Sequence, residues 1–453
     1  MRSRRVAVAI GVLAALLLVI SATATPSAAQ GVSGEMSEAG GIAVLRVWGT
    51  AYDMGYAEGW FLGARIKPTI TGYILPTIPP LAWEAARRAY PLLFEAAPRI
   101  DDEIAGFVDG ATASGADLFV EELGRALDVL DLKTANALAD LSSASYLPGG
   151  GQLCSSFSAF GDATVDSELG GDLAITRNLD WGGGSPDPFL LSRNTMLVVR
   201  IPVEPEYQPT VAITYPGFFG CLSCINRAGV GAFLNQGNNR PPFKDILTGR
   251  PYTPVCYATR AGVEAADLDG DGRSTGADVV AALEAHFFGS VLVHVVEPQA
   301  LEDLPAQVVE LQTDAGWAVR VPSDEPDIGP WRLALTNHDR KLFPPAPCWR
   351  YDIMREQVQE RGGKFDPASL WGLMGMVAFR DLQHGGFTNH TLMYVPDTGD
   401  LGLAKTDEAG FSVDKQPAWF TVQGLISPEA PGDDDTGTGA ADHGARHHGG
   451  CAG

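Results

Sequence analysis

The chain has 453 residues, 45% of them hydrophobic, with a formal net charge of -23 and six cysteines. Such acidity excludes the basic footprint of a nucleic-acid binder, and six cysteines over this length are too sparse for a disulfide-stapled scaffold. The hydrophobic share supports a sizeable core, and the roughly 420 residues behind a leader suffice for one large domain or two ordinary ones.

The first elements form a leader. "MRSRR" is followed by an apolar run from Val6 to Ile20 and then by small polar residues, the layout of a secretory signal peptide. The run has 15 residues, short of the roughly 20 that span a bilayer. The expected product is secreted or periplasmic, without stable membrane insertion, after cleavage behind Ala29, with Ala24 as the alternative. Residues 30–153 then read as mostly helical. "GIAVLRVWGTAYDMGYAEGWFLGARI" gives a strand, a glycine break and a helix, and "PLAWEAARRAYPLLFEAA" and "VEELGRALDVLDLKTANALADLSSA" continue in helical character.

The character changes at "LPGGGQ", residues 147–152. Beyond it come strand-like stretches separated by turn residues: "SSFSAFG", "DLAITRNLDW", "NTMLVVRIPV", "TVAITYPG" and "GVGAFLNQ". A helical segment is expected from about Tyr252 to Phe288, strands at "SVLVHVVEP", "AQVVELQT" and "WAVRVP", and a helix at "RYDIMREQVQERG". Helices mixed with antiparallel strands predict the α+β class with layered sheets. Residues 428–453, rich in Gly, Asp and Ala, read as a disordered tail.

Cys154 heads the first strand after the glycines, and the next strand returns with Arg177 and Asp180. A hairpin there would bring the guanidinium near the thiol and favour the thiolate, the nucleophilic form. The spacing alone equally suits a surface ion pair beside a buried thiol. The stretch from Cys154 to Trp181, "C-S-S" to "T-R-N-L-D-W", resembles the N-terminal-nucleophile (Ntn) cysteine hydrolases. That group includes acid ceramidase, N-acylethanolamine acid amidase, choloylglycine hydrolases and the acyl-coenzyme A:6-aminopenicillanic acid acyltransferases. The upstream "VWGTAYDMGYAEG" is similar to the opening of the acyltransferase-type members.

The resemblance implies a four-layer αββα sandwich and a precursor that cuts itself immediately before the cysteine. Residues 30–153 would become an α chain, and residues 154–427 a catalytic β chain that stays associated with it. It also implies that Cys154 is the nucleophile held by Arg177 and Asp180. Asn235 would lend a backbone amide, and Asn337 a side-chain amide, to an oxyanion hole, with Arg350 a further active-site arginine. The substrate would be a small N-acyl compound with a linear amide. Its acyl arm would meet apolar residues such as Trp60, Trp181, Phe218 and Phe219. Acyl transfer to an amine is the rival reaction. The new α-amine, of reference pKa roughly 7.7–8.0, would serve as the base, so catalysis needs no cofactor and His338 reads as a packed residue.

Within the β chain "DLDGDGRSTGAD", residues 267–278, matches an EF-hand or dockerin-like calcium loop. Asp267, Asp269, Asp271, Thr275 and Asp278 supply oxygen ligands, the Arg273 carbonyl supplies another, and Gly272 makes the turn. The alternatives are a structural ion, a solvated acidic turn, and a calcium-dependent dockerin-like binding protein. Cys221 and Cys224 suggest a local disulfide or two packed thiols. Cys256 and Cys348 are a conceivable pair, while Cys451 and the histidines His443, His447 and His448 belong to the tail.

Overall fold

The computed structural model describes residues 31–144, 154–181, 185–237, 252–285, 290–299, 301, 304–312, 316–382 and 386–427. The leader, "LPGGGQL" and the tail lie outside the described residues. The chain begins with a hairpin, β1 (Gly34–Ala39) and β2 (Ile42–Gly49), and turns into helix α1 (Ala51–Thr69). Thr50 and Asp53 start that helix with a reciprocal capping box. Helices α2 (Pro80–Leu93) and α3 (Pro98–Ala113) follow. A short hairpin, β3 (Phe119–Val120) and β4 (Arg125–Ala126), then precedes α4 (Val129–Asn136) and α5 (Leu138–Ala144). The expected helix over "VEELGRALDVLDL" is corrected at its start by that hairpin, where Gly124 turns with φ +66°.

Helices α1 and α3 approach unusually closely, and glycines permit it. A Cβ on Gly55 would lie 1.8 Å from Glu103 O, one on Gly59 2.0 Å from Phe107 O, and one on Gly110 2.0 Å from Tyr56 O. Backbone therefore meets backbone across the crossing. Residues Gly55, Gly59 and Gly63 recur every four positions, which keeps them on one helical face.

The remaining strands are β5 (Ser155–Ala159), β6 (Ala174–Asp180), β7 (Met196–Pro202), β8 (Thr210–Thr214), β9 (Ser223–Asn226) and β10 (Gly231–Gln236). Helices α6 (Val255–Glu264) and α7 (Gly276–Ala285) follow, then β11 (Ser290–Val296), β12 (Ala306–Gln312), β13 (Gly316–Arg320) and β14 (Arg332–Leu335). Helices α8 (Trp349–Glu360) and α9 (Pro367–Val377) lead to β15 (Arg380–Asp381), β16 (Gly386–Val395), β17 (Asp400–Lys405) and β18 (Ala418–Thr421).

One sheet has the order β1-β2-β7-β8-β9-β10-β11-β12-β13, and the other runs β14-β5-β6-β16-β17-β18, with β15 beside β16. Side chains alternate across each strand. One face of each sheet therefore supplies the central core, with Leu197, Ile213, Phe233 and Leu292 from the first sheet and Ile175, Leu335, Leu392 and Leu403 from the second. The outer face of the first sheet is covered by α1 and α3 near β2 and β7, and by α6 and α7 near β9 to β12. Helices α8 and α9 cover the outer face of the second. The architecture is an αββα sandwich of the α+β class. Because β2 pairs in parallel with β7, the segment before Cys154 is part of the first sheet and not an appendage.

Candidate active site

Ser156 and Ser158 of β5 face the opposite sheet, where their hydroxyls lie 2.9 and 3.0 Å from the two ring nitrogens of His294. Burial and the charge of Arg320 push that imidazole down to about 3, so it is a neutral strut. Cys154 has the same parity, and its Sγ enters the space between the sheets.

Four charged or amide side chains gather around it. Arg177 Nη2 is 3.8 Å from Sγ, and its Nη1 donates to Ser223 Oγ at 2.7 Å across the sheets. Arg350 Nη1 donates to the Cys154 carbonyl at 3.1 Å and to Asp180 Oδ2 at 2.9 Å, and its Nη2 donates to Asn337 Oδ1 at 2.5 Å. The Cys154 N–H donates to Asn337 Oδ1 at 3.1 Å. Asp180 is completed by Thr388, whose hydroxyl donates to Oδ1 at 2.6 Å. Thr388 and Ser223 lie outside the strands read from the sequence and carried no signal there.

Asn235 reaches the cluster through a tie. Its Nδ2 donates to Thr336 O at 3.1 Å, while Asn337 Nδ2 donates to Gln236 O at 2.6 Å. The ends of β10 and β14 are thereby laced together, and Asn235 holds the segment that carries Asn337. The structure thus brings Cys154, Arg177, Asp180, Asn337 and Arg350 into direct contact and joins Asn235 to them.

Arg177 pulls the Cys154 thiol toward the thiolate as the hairpin reading expects, but burial opposes it. Burial pushes the Cys154 thiol up, Asp180 adds to that, and the opposing Arg177 and Arg350 do not overcome it. Burial likewise raises Asp180 to about 6 against the pull of Arg350, Thr388 and Arg177.

Beside this cluster lies an apolar cavity of about 60 Å³. Ile66, Ile70, Tyr73 and Leu138 line it from the segment before Cys154, and Trp181, Tyr215, Phe218 and Leu222 from the segment after. Cys154 and Leu222 belong to one apolar cluster, on which Trp181 and Phe218 pack. Of the four apolar residues named from the sequence, Trp181 and Phe218 line this cavity. Trp60 is not among the walls, and Phe219 packs edge-on against Phe107 in the core beneath α3.

In the acidic loop between α6 and α7, carboxylate oxygens of Asp267, Asp269 and Asp271 lie within 4.8 Å of one another. Asp278 is turned inward, accepting from the N–H groups of Leu268, Asp269 and Thr275. The Thr275 hydroxyl accepts from the Ala277 N–H. The Arg273 side chain pairs with Asp271 at 3.4 Å. Cys221 and Cys224 are disulfide-bonded, whereas Cys256 and Cys348 are free thiols. Among the described residues no helix is long and apolar enough to cross a membrane.

No family model and no curated protein matches the chain. Solved structures do. A Caenorhabditis elegans N-acylethanolamine-hydrolyzing acid amidase ortholog is similar at 19% identity and a TM-score of 0.40, over 59% of this chain and 100% of that one. Penicillin V acylase from Agrobacterium tumefaciens is similar at 11% identity and a TM-score of 0.37, over 60% and 87%. A mutant conjugated bile acid hydrolase from Clostridium perfringens is similar at 10% identity and a TM-score of 0.33, over 60% and 95%.

Proposed function

We propose that this protein is a self-processing amide hydrolase in which Cys154, freed as a chain N-terminus, attacks linear N-acyl amides. The observation that carries the reading is the convergence of Arg177 and Asp180 from β6, Asn337 from the end of β14 and Arg350 from α8 on Cys154. A merely structural thiol needs none of these partners.

In the first step Cys154 Sγ bonds to the Leu153 carbonyl carbon, the Leu153–Cys154 C–N bond breaks, and the nitrogen gains the thiol proton. Water then opens the thioester and leaves a free α-amine on Cys154. In turnover that amine takes the Sγ proton and passes it to the departing amine as Sγ bonds to the substrate's acyl carbon. The oxyanion that forms is met by the Asn337 amide, and Arg350 holds both Asn337 and the Cys154 carbonyl. Water completes hydrolysis, and the adjoining cavity takes the start of an apolar acyl arm. Export, and lasting association of the two pieces, complete the reading.

Asn337→Ala tests the oxyanion assignment. Turnover should fall by on the order of 10² to 10³, the scale of one lost donor, in protein that is folded and cut. Near-normal kcat in such protein removes Asn337 from the mechanism.

We further propose that the loop at 267–278 holds a structural calcium ion, since three converging carboxylates suit a hard cation. Calcium bound only to the folded state raises the melting temperature by mass action. Millimolar calcium should therefore raise it over a chelator control in the wild type and not in Asp269→Ala. Equal melting temperatures in both conditions would remove the ion.

A further inference from the structure

The cavity beside Cys154 is apolar except at one point. Among the polar side chains that line it, Asn136 has both ends of its amide engaged, donating to Leu132 O and Gly217 O and accepting from the Phe219 and Gly220 N–H groups. Thr69 donates to Arg65 O at 2.9 Å, and Tyr73 is paired with the Trp181 indole. Tyr215 remains. It is 5% exposed, it lines the cavity, and its hydroxyl makes no hydrogen bond. Thr195 neighbours that hydroxyl and makes none either. Cys154 and Arg177 both bear on the proton affinity of Tyr215, which puts its hydroxyl within electrostatic reach of the reacting sulfur.

A second unpaired group lies next to it. The His390 ring centroid is 6.4 Å from that of Tyr215, and His390 is fully buried with neither ring nitrogen partnered. Strand β16 pairs with β6 in the register His390↔Leu179 and Leu392↔Arg177. His390 and Arg177 are therefore diagonal neighbours on one face, the face from which Arg177 reaches Ser223. Burial holds the Tyr215 hydroxyl protonated, and burial together with the charge of Arg177 keeps His390 neutral. Two uncharged polar groups thus stand side by side without partners, which destabilises the protein. A ligand oxygen that accepts from Tyr215 removes that penalty. An uncharged oxygen suits the place, because a carboxylate loses far more hydration on passing between apolar walls.

We propose that Tyr215 is a specificity-determining residue, and that the substrate's acyl arm carries an uncharged oxygen, as an ether, keto or hydroxyl group, which accepts a hydrogen bond from the Tyr215 hydroxyl beside His390. This assignment rests on the amide-hydrolase reading, in which the arm enters this cavity. A plain alkyl arm leaves the hydroxyl unpaired and is the poorer substrate.

The test compares kcat/KM of the full processed protein on the hexanoyl amide of an aminocoumarin, on analogues in which an ether oxygen replaces one CH₂ at successive positions of the arm, and on the analogue whose arm ends in a carboxylate. One ether analogue should be preferred over plain hexanoyl by about 10-fold, the scale of one neutral hydrogen bond, and Tyr215→Phe should bring the two to equal rates. A merely structural tyrosine would lower both alike and leave their ratio unchanged. Cys154→Ala, which cannot turn the amides over, reads binding by itself. The preferred ether analogue should raise its melting temperature more than the hexanoyl amide does, and adding Tyr215→Phe should erase that difference. Preference for the plain or the carboxylate arm, or a preference that survives Tyr215→Phe, overturns the proposal. Absence of turnover with the binding preference intact counts against the hydrolase reading alone, whereas absence of the binding preference overturns the assignment of Tyr215 whatever the turnover.

Discussion

Cys154→Ala should yield one uncut chain with no turnover, while the wild type matures into two associated pieces, one ending at Leu153 and one beginning at Cys154. The prediction follows from where the sulfur sits. Sγ is buried between the sheets with Arg177 3.8 Å away, and the carbonyl and N–H of Cys154 are fixed by Arg350 and Asn337. The alanine variant keeps those backbone contacts, so its fold should survive while the attacking atom is gone. On the proposed mechanism removing that sulfur removes both steps, since it would perform each. In the uncut chain burial keeps that sulfur protonated. On the proposed mechanism the cut would supply the missing base, because a free α-amine titrates at roughly 7.7–8.0. Intact mass and N-terminal sequencing read the result. An active protein that remains one chain through Leu153–Cys154 would return Cys154 to the structural thiols.

Strands β5 to β8 and β10 to β13 were legible because alternation at period two leaves a mark that loops do not, whereas β9 and β14 to β18 were not read from the sequence. The Cys154, Arg177 and Asp180 hairpin was legible for the same reason: β5 pairs with β6 in the register Ser155↔Asn178 and Ser156↔Arg177. Other features were less accessible. The glycines of α1 recur at a visible spacing, but their partner, Gly110 on α3, lies 51 positions beyond Gly59, and only the fold shows that the two backbones touch. Asn235 was read for its backbone amide alone, and nothing in the sequence hinted that its side chain also laces β10 to the Thr336 carbonyl. That contact spans 101 positions and depends on how two sheets stack, which no local pattern encodes. The pull of Arg177 on the thiol was legible because proximity of a guanidinium is visible in a hairpin, while the desolvation that outweighs it is a property of the assembled core.

Glu103→Ala should destabilise the protein severely and, once the chain is cut, release the two pieces from one another. Glu103 lies on α3, in the segment before Cys154, and its partners lie after it. Oε1 is 2.6 Å from Arg200 Nε, and Oε2 is 2.6 Å from Arg260 Nη2. All three residues are buried. Burial alone would raise the Glu103 carboxyl, but Arg260 and Arg200 hold it down at about 2. It therefore stays ionised, and its contribution is lost only as pH falls from the ordinary glutamate range through that value. Glu58 of α1 also pairs with Arg200, at 2.7 Å, yet burial raises it to about 7 despite Arg200 and Arg260. It cannot replace Glu103 as a full counter-charge near neutral pH. Removing Glu103 leaves Arg200 with Glu58 and Arg260 with Glu264 as their remaining carboxylates in the core, a loss on the order of 3–5 kcal/mol for a broken buried pair. Thermal melting of Glu103→Ala, alone and combined with Cys154→Ala, separates the effects. Both should melt well below their parents, and only the cut form should elute as separate pieces in size-exclusion chromatography. A melting temperature equal to the parent's in both backgrounds would show that the parallel β2–β7 pairing and the glycine-lined crossing of α1 with α3, which itself lies within one piece, suffice without the buried charges.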